Sequence, residues 1–212
     1  MDQRWTNPKG AQSPVRRRNG DRDIVGKWAC SKNPNRLVLN GLKGSLPEKV
    51  TQAGIAIGTE FAPGDLGLLI HLHGIQNFED YGFNVVHEAY CAKIAAEFLL
   101  NCHKDRSAAW IAKKGGDVVG SILIIERPQN EAQLRLLFVA KSVRGLGLGR
   151  WLVKESIRYS VSSGFGLIYL WTIEGLDRAI SIYESVGFVR CQEKLIEEWG
   201  QSTKEIRFDL PL

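Results

Sequence analysis

Apolar and polar positions first alternate along residues 52–61, where Ile55, Ile57 and Phe61 stand among small or polar neighbours. This spacing predicts a first β-strand, which Pro63-Gly64 would close. The next two stretches repeat apolar residues at helical spacing and predict helices over 66–78 and 88–101. We expect Asp65 to cap the first of these helices.

After Asp105 the pattern changes to short runs rich in β-branched and aromatic residues. Gly115-Gly116, between two such runs, is typical of a hairpin turn. The elements predicted from here on are strands over 108–113, 118–126 and 134–139, a helix ending near 163, a strand over 167–171, a helix over 177–186, and strands over 189–195 and 204–210. The whole order is βααβββαβαββ, which indicates an α/β fold.

One predicted strand runs directly into a glycine-rich turn and a helix, within residues 138–150. A helix N-terminus leaves its first N–H groups without partners and is partly positive, and glycine lets a ligand approach the main chain closely. Residues 143–149, called the glycine loop below, therefore predict a site for a small anion such as a phosphate. A purely structural turn is the alternative. The spacing matches neither the GxxxxGK[ST] pattern nor a dinucleotide fold.

Two motifs resemble the Gcn5-related N-acetyltransferase (GNAT) family. Arg144-x-x-Gly147-x-Gly149 is similar to the family's pyrophosphate signature, and Ala179-x-x-x-Tyr183-x-x-x-Gly187-Phe188 is similar to a second family element at the usual distance. The resemblance covers residues from about 51 to the end. It implies a mixed, mostly antiparallel central sheet, flanked by helices, whose central strands splay apart around the cofactor.

The resemblance also implies acetyl-coenzyme A (acetyl-CoA) as the acetyl donor, with no metal. Its pantetheine arm would pair with main-chain groups of Leu137 and Val139, and the glycine loop would hold the pyrophosphate. Lys141, Arg150 and Lys154 are candidates for outer phosphate contacts, although a basic surface would look the same. The predicted cofactor-binding residues are Leu137, Phe138, Val139, Val143, Arg144, Gly145, Leu146, Gly147, Leu148, Gly149, Arg150 and Asp177.

Acyl transfer from a thioester to an amine needs a neutral amine, a stabilised oxyanion and a proton for the departing thiolate. Tyr183 matches the family's tyrosine that can supply this proton; a core tyrosine is the alternative. The protein-lysine branch of the family carries a glutamate where this chain has Gln133, which cannot accept a proton. Glu126, Glu88, Glu131 or His73 could act as the base through water, or the amine could arrive with a lowered pKa.

The acceptor side in this family is built by the first two helices and their loop. Several segments here resemble acetyltransferase domains that bacteria fuse to MarR-type regulators, among them Tyr81-Gly82-Phe83 and Glu198-Trp199-Gly200. We take His73, Tyr81, Gln133 and Trp171 as candidate substrate-binding residues. The expected acceptor is a primary amine of a small or amino-acid-like molecule. A protein amine and a non-catalytic acyl-CoA sensor are the alternatives.

Charge separates the first 50 residues from the rest of the chain. They hold eleven Lys and Arg against four Asp and Glu, whereas residues 51–212 hold 17 against 19. Residues 1–50 are therefore expected to be a basic, loosely ordered extension of the 51–212 domain. We expect nucleic-acid contact only through this extension, if at all.

The lengths of the apolar runs and the spacing of the cysteines bear on where the protein is located and on whether its thiols are reduced. The chain has no apolar run of membrane-spanning length and no hydrophobic leader, so we expect a cytoplasmic protein without a membrane contact. Its four cysteines share no CxxC spacing and are expected to be reduced and mostly buried. A homodimer is left open, since edge strands in this family often pair.

Overall fold

A seven-stranded mixed sheet forms the centre of the protein in the computed structural model, which describes residues 44–101 and 106–212. The sheet order is β1-β2-β3-β4-β5-β7-β6, and all neighbouring strands are antiparallel except β4 and β5. The strands are β1 Ile55–Gly58, β2 Ala108–Lys114, β3 Asp117–Arg127, β4 Glu131–Val139, β5 Leu167–Ile173, β6 Val189–Glu198 and β7 Gln201–Pro211.

Five α-helices accompany these strands within the described residues: α1 Glu48–Gln52, α2 Asp65–Tyr81, α3 Val85–Asn101, α4 Leu148–Ser162 and α5 Asp177–Ser185. The predicted fold class and the order βααβββαβαββ are confirmed, with α1 added before β1. Helices cover both faces of the sheet centre, because β3 is buried continuously from Val118 to Ile125 and contacts both α2 and α4.

The hairpin between β2 and β3 forms as predicted. Lys114 pairs with Asp117 across Gly115 and Gly116, whose φ angles of 61° and 98° lie in the left-handed region. A two-residue turn with both central residues in that region matches the twist of the flanking strands. The turn therefore sets the strand pairs next to it, and the register shifts between Ala112 and Lys113 farther along β2.

The start of α2 differs from the prediction. Gly64, with φ of 98°, is the N-cap, and no side chain caps the helix. The Asp65 carboxylate instead accepts a hydrogen bond from the Ala62 N–H at 2.6 Å and pairs with Lys113 Nζ at 2.6 Å. The aspartate thus ties the start of α2 to the loop before it and to the edge of β2.

The end of the predicted basic extension contacts the domain. The Gly44 N–H donates to Glu155 on α4 at 3.0 Å, and Trp151 Nε1 donates to the Gly44 carbonyl at 3.3 Å. Val50 in α1 is fully buried. Residues 1–43 lie outside the described residues.

The central strands splay apart, as the fold prediction implied. β4 pairs with β5 only from Glu131 to Gln133, although β4 continues to Val139. Beyond this point a bulge interrupts the pairing of β4 with β3, and Leu136 adopts φ of 47° there. The Ser121 hydroxyl donates to the Leu136 carbonyl at 2.7 Å and holds the bulge. A gap therefore opens between β4 and β5.

Candidate active site

A cavity of about 800 Å³ lies in the gap between β4 and β5. The glycine loop and the start of α4 line one part of it, and aromatic side chains from α2, α3 and the β6–β7 turn line another. Tyr183 on α5 also lines it. One continuous space therefore connects the glycine loop with these aromatic side chains.

The glycine loop presents main-chain groups to this cavity. Gly145 and Gly147 adopt φ angles of 80° and 88°, and Gly147 is the N-cap of α4 with no side-chain cap. The first N–H groups of the 15-residue helix are thus left for a ligand. Because Gly147 is left-handed, a larger residue would be strained there. The loop has the geometry of an anion site.

The basic side chains around the loop are less available than the sequence suggested. Arg144 NH2 pairs with Asp80 at 3.0 Å and its Nε donates to the Val139 carbonyl at 3.2 Å. Lys141 Nζ pairs with both Glu79 and Asp80 at 2.8 Å. These two cations tie the loop to α2. The hydrogen bonds of Lys141 to the carboxylates of Asp80 and Glu79 raise the pKa of its ammonium group. Lys141 is therefore an anchor of the loop.

One main-chain acceptor on β4, the carbonyl of Val139, already has hydrogen-bond partners in the protein. The Val139 carbonyl accepts hydrogen bonds from Gln76 Nε2 and from Arg144 Nε, both at 3.2 Å. A carbonyl oxygen has two lone pairs, so this acceptor is already satisfied. A ligand arm along β4 would have to use other main-chain groups of this strand.

Tyr183 lies where the two parts of the cavity meet α5. It is 5% exposed and packs against the rings of Phe188 and Phe208 at centroid distances of 5.9 and 6.3 Å. Burial raises the pKa of its hydroxyl far above the usual value. The phenol therefore keeps its proton at neutral pH, and the residue lines the cavity.

Two of the predicted bases lie outside the cavity. The Glu126 carboxylate accepts hydrogen bonds from Arg106 Nε at 2.9 Å, from NH2 at 2.6 Å and from the Arg106 N–H at 2.8 Å. Burial opposes its ionisation, but these bonds outweigh that effect and lower its pKa. Glu88 packs on Gly74, where a Cβ atom would lie 2.4 Å from its carboxylate. Glu126 is thus held by Arg106, and Glu126, Glu88 and the further predicted base Glu131 do not line the cavity.

His73 does line the cavity and is kept neutral. Its ring lies 4.9 Å from that of Phe138, Asn77 Nδ2 is 3.5 Å from its Nδ1, and its buried Nε2 has no partner. Burial lowers the pKa of His73 to about 3, with a smaller effect of His87 in the same direction. A neutral imidazole can donate or accept one hydrogen bond through Nε2.

Of the other predicted site residues, some line the cavity and some do not. Gln133 is buried and accepts a hydrogen bond from Arg127 Nε at 2.8 Å, so it belongs to the sheet. Gln133, Leu146 and Asp177 do not line the cavity. The predicted residues that do line it are His73, Tyr81, Leu137, Phe138, Val139, Val143, Arg144, Gly145, Gly147, Leu148, Gly149, Arg150, Trp171 and Tyr183.

A cluster of ring side chains closes the other side of the cavity, and of its members only Tyr81 was predicted from the sequence as a substrate-binding residue. We call this cluster the aromatic wall; its members are Tyr81, Phe83, His87, Tyr90 and Trp199. Trp199, in the β6–β7 turn, lies 5.0–5.6 Å from the rings of Phe83, His87 and Tyr90. Its carbonyl accepts the Asn84 N–H at 2.9 Å, which fixes the turn to the α2–α3 loop.

Only tertiary structure brings the wall together. The wall residues on α2 and α3 are more than 100 positions from Trp199, and no local motif marks the contact. The predicted strands ended at residue 195 and began again at 204, whereas β6 and β7 continue to a two-residue turn at Trp199-Gly200 with φ angles of 57° and 88°. The longer hairpin carries the tryptophan to the cavity.

Three further observations concern the described residues alone. None of their helices is long and apolar enough to cross a membrane. They contain no cluster of three or more side chains suited to a metal ion. Cys91 is buried, as predicted, but Cys191 is exposed; Cys30 and Cys102 lie outside the described range.

Comparison with known proteins identifies the family. The sequence profile of the Acetyltransferase (GNAT) family matches residues 73–188, which is more than half of the chain. N-acetyltransferase 8 of Mus musculus is 28% identical over 113 residues, covering 50% of this chain and 50% of that protein. N-acetylaspartate synthetase of Danio rerio is 31% identical over 88 residues, covering 41% and 31%. The chain spans about half the length of the first curated relatives it matches.

A solved structure shares the fold. The acetyltransferase from Streptococcus agalactiae 2603 superposes with a TM-score of 0.60 at 23% identity, and the match covers 75% of this chain and 99% of that chain. At this level of identity the likeness concerns the fold alone. The splayed strands, the glycine loop at the start of α4 and the family profile agree. The chain belongs to the Acetyltransferase (GNAT) family and carries its acetyltransferase domain.

Proposed function

We propose that this chain is an acetyl-CoA-dependent N-acetyltransferase that acts on the primary amine of a small, amino-acid-like molecule. The pyrophosphate of the donor binds the glycine loop, its pantetheine arm follows β4, and its thioester lies near Tyr183. The amine enters from the aromatic wall. The observation that carries this proposal is the single cavity that joins the loop, the tyrosine and the wall.

The reaction requires little acid–base chemistry from the protein. The lone pair of a neutral amine attacks the thioester carbonyl carbon and forms the C–N bond, and the C–S bond then breaks with its electron pair on sulfur. Tyr183 donates its proton to the leaving thiolate. The proton lost by the amine nitrogen restores the tyrosine through solvent, so the products are an N-acetylated amine and the free thiol of coenzyme A.

The predicted glutamate bases do not line the cavity, and this bears on how the amine loses its proton. Glu126 is held by Arg106 and Gln133 by Arg127, and neither Glu88 nor Glu131 lines the cavity. Direct transfer to an amine that has already lost its proton agrees best with this arrangement. His73 then serves as a hydrogen-bonding group, since burial makes it a weak base.

The choice of a small acceptor rests on two observations. The aromatic wall lines the acceptor side of the cavity with ring side chains that a small acceptor can contact. One relative is named for the synthesis of N-acetylaspartate, an N-acetylated amino acid. The reported relatives carry no regulator in their names, so the likeness to domains fused to MarR-type regulators stays a sequence-based prediction.

The proposal is tested by incubating the purified protein with acetyl-CoA and a panel of amines. The panel contains amino acids, amino-acid amides, polyamines and a lysine-containing peptide, and thiol release is followed in each case. We expect thiol release with small amines and the N-acetylated product by mass spectrometry. Binding of acetyl-CoA without acetylation of any amine would instead favour the acyl-CoA sensor.

A further inference from the structure

Arg135 is a cation at the mouth of the gap between β4 and β5. It comes two residues after the last β4–β5 pair, at Gln133, and directly before the bulge residue Leu136. Its side chain lines the same cavity as Tyr183 and the aromatic wall. The splay of the sheet therefore directs this arginine to the part of the cavity where the amine would enter.

The guanidinium is positioned without being neutralised. Arg135 NH2 donates to the Tyr90 hydroxyl at 2.6 Å, and its Cζ lies 5.2 Å from the centre of the Tyr90 ring. Among the described residues, no carboxylate forms an ion pair with it. A guanidinium has five N–H donors, so most of its hydrogen-bonding capacity is left for a ligand.

The one carboxylate that lines the cavity is already paired, whereas Arg150 and Arg178, which also line it, form no ion pair among the described residues. Glu205 lines the cavity, but Lys194 Nζ binds its carboxylate at 2.9 Å. The Lys194 ammonium also lies 4.8 Å from the centre of the Trp171 ring. His87, in the wall, is kept neutral by burial, which lowers its pKa to about 4. The net unpaired charge facing the acceptor is thus positive.

We propose that Arg135 binds the carboxylate of an α-amino acid acceptor, whose apolar side chain packs against the aromatic wall. A planar guanidinium held by Tyr90 matches a carboxylate in two parallel hydrogen bonds. The wall offers aromatic surface to an apolar or aromatic side chain beside it. Arg135 is therefore a specificity residue: it selects acceptors that carry a carboxylate next to the reacting amine.

This inference rests on the proposed acetyl transfer, and its test compares matched acceptors. L-phenylalanine and L-methionine are each compared with their amides, with rates referred to the concentration of neutral amine. We expect the wild type to prefer the acids in kcat/KM by roughly 10- to 100-fold, because hydrogen bonds to charged groups are worth that much. Arg135→Gln should lose the preference through a higher acceptor KM, and Arg135→Lys should keep part of it.

Two controls separate the possible failures. Arg190→Gln removes an exposed arginine that pairs with Glu193 on β6, outside the cavity, and should keep the full preference. Calorimetric titration with acetyl-CoA shows whether Arg135→Gln keeps its fold and donor site. Equal rates for acids and amides in the wild type, or an unchanged preference in Arg135→Gln, would overturn the inference and leave acetyl transfer intact. Failure to acetylate any amine would overturn both.

Discussion

The glycine loop and the aromatic wall face each other across one cavity and are built on opposite principles. The loop is one short segment, and the groups that we propose to bind the donor are main-chain N–H groups beside the left-handed Gly145 and Gly147. The wall is assembled from two helices and a hairpin turn, and its groups are side chains such as Phe83 and Trp199. Backbone conformation sets recognition on one side and side-chain packing on the other.

This difference has a functional consequence. A main-chain site recognises any ligand with the right anionic group, and it tolerates changes of side chain wherever bulk and φ allow. A side-chain site changes its ligand whenever one ring is replaced. We expect the donor to stay the same among proteins with this fold and the acceptor to vary, and the following experiments test that division.

The largest effect is expected at Tyr183, where the two regions meet. Tyr183→Phe removes the proposed proton donor and keeps the ring packed on Phe188 and Phe208. We expect kcat to fall by roughly 100- to 10,000-fold, the usual contribution of a general acid, with little change in acetyl-CoA affinity. Tyr169→Phe on β5 is the matched control, since Tyr169 does not line the cavity. A kcat within threefold of the wild type would remove Tyr183 from the mechanism.

Trp199→Ala should damage the wall and spare the loop. The indole is 6% exposed, and a buried tryptophan replaced by alanine costs about 3–5 kcal/mol of unfolding free energy. We expect this loss in urea unfolding, together with a higher acceptor KM and an unchanged dissociation constant for acetyl-CoA. Trp199→Phe keeps an aromatic ring and should recover most of both effects. If donor affinity falls as much as acceptor affinity, the two regions are not independent.

The contrast between a loop built from neighbouring residues and a wall built from distant ones also explains how much of the fold and site the sequence could predict. The strand and helix order, the Gly115-Gly116 hairpin and the glycine loop depend on residues close together in the chain, and their patterns are visible without a structure. Leu137 to Val139, predicted to contact the cofactor, line the cavity. What those patterns could not indicate is which hydrogen bonds the folded protein already makes, such as those that satisfy the Val139 carbonyl.

The wall and the candidate bases depend on distant residues. Trp199 meets Phe83 only because β6 and β7 extend to a turn that lies on the α2–α3 loop. Glu126 was predicted as a possible base because the sequence does not show that Arg106, 20 positions earlier, donates hydrogen bonds to its carboxylate in the folded protein. Arg135 was not predicted because its position depends on two tertiary features. These are the β4 bulge that precedes the glycine loop and the direction in which β4 diverges from β5.

Glu126→Gln tests whether this ion pair is structural. We expect kcat to stay within twofold of the wild type and the unfolding free energy to fall by about 2 kcal/mol at pH 7, as for lost hydrogen bonds to a charged group. The pKa of Glu126 is lowered in the folded state, so its contribution is present above the unfolded pKa and is lost as the pH falls through the folded value. The difference between variant and wild type should therefore shrink on acidification below about pH 4. A large loss of kcat would return Glu126 to the list of bases.

The smallest effect concerns the buried histidine at the cavity. The pKa of His73 is lowered to about 3 in the folded protein, so its contribution to stability is present above the unfolded value and is lost as the pH falls toward 3. Between pH 6 and 5 the unfolding free energy should fall by about 1 kcal/mol from this residue alone. His73→Gln should flatten that slope in denaturant unfolding at the two pH values. An unchanged slope would mean that His73 is solvated in the folded state.

The most direct test of the account is the titration of the protein with acetyl-CoA by calorimetry, for the wild type and for Gly147→Glu. The variant places a side chain and a negative charge at the N-cap of α4, beside the N–H groups proposed to bind the pyrophosphate. Gly54→Glu is the matched control, because Gly54 also has a positive φ, of 70°, and lies outside the cavity. We predict one site per chain in the wild type and the control, and at least roughly 100-fold weaker binding in Gly147→Glu. Equal binding by Gly147→Glu, or no binding by the wild type, would contradict the central claim that the glycine loop is the donor site.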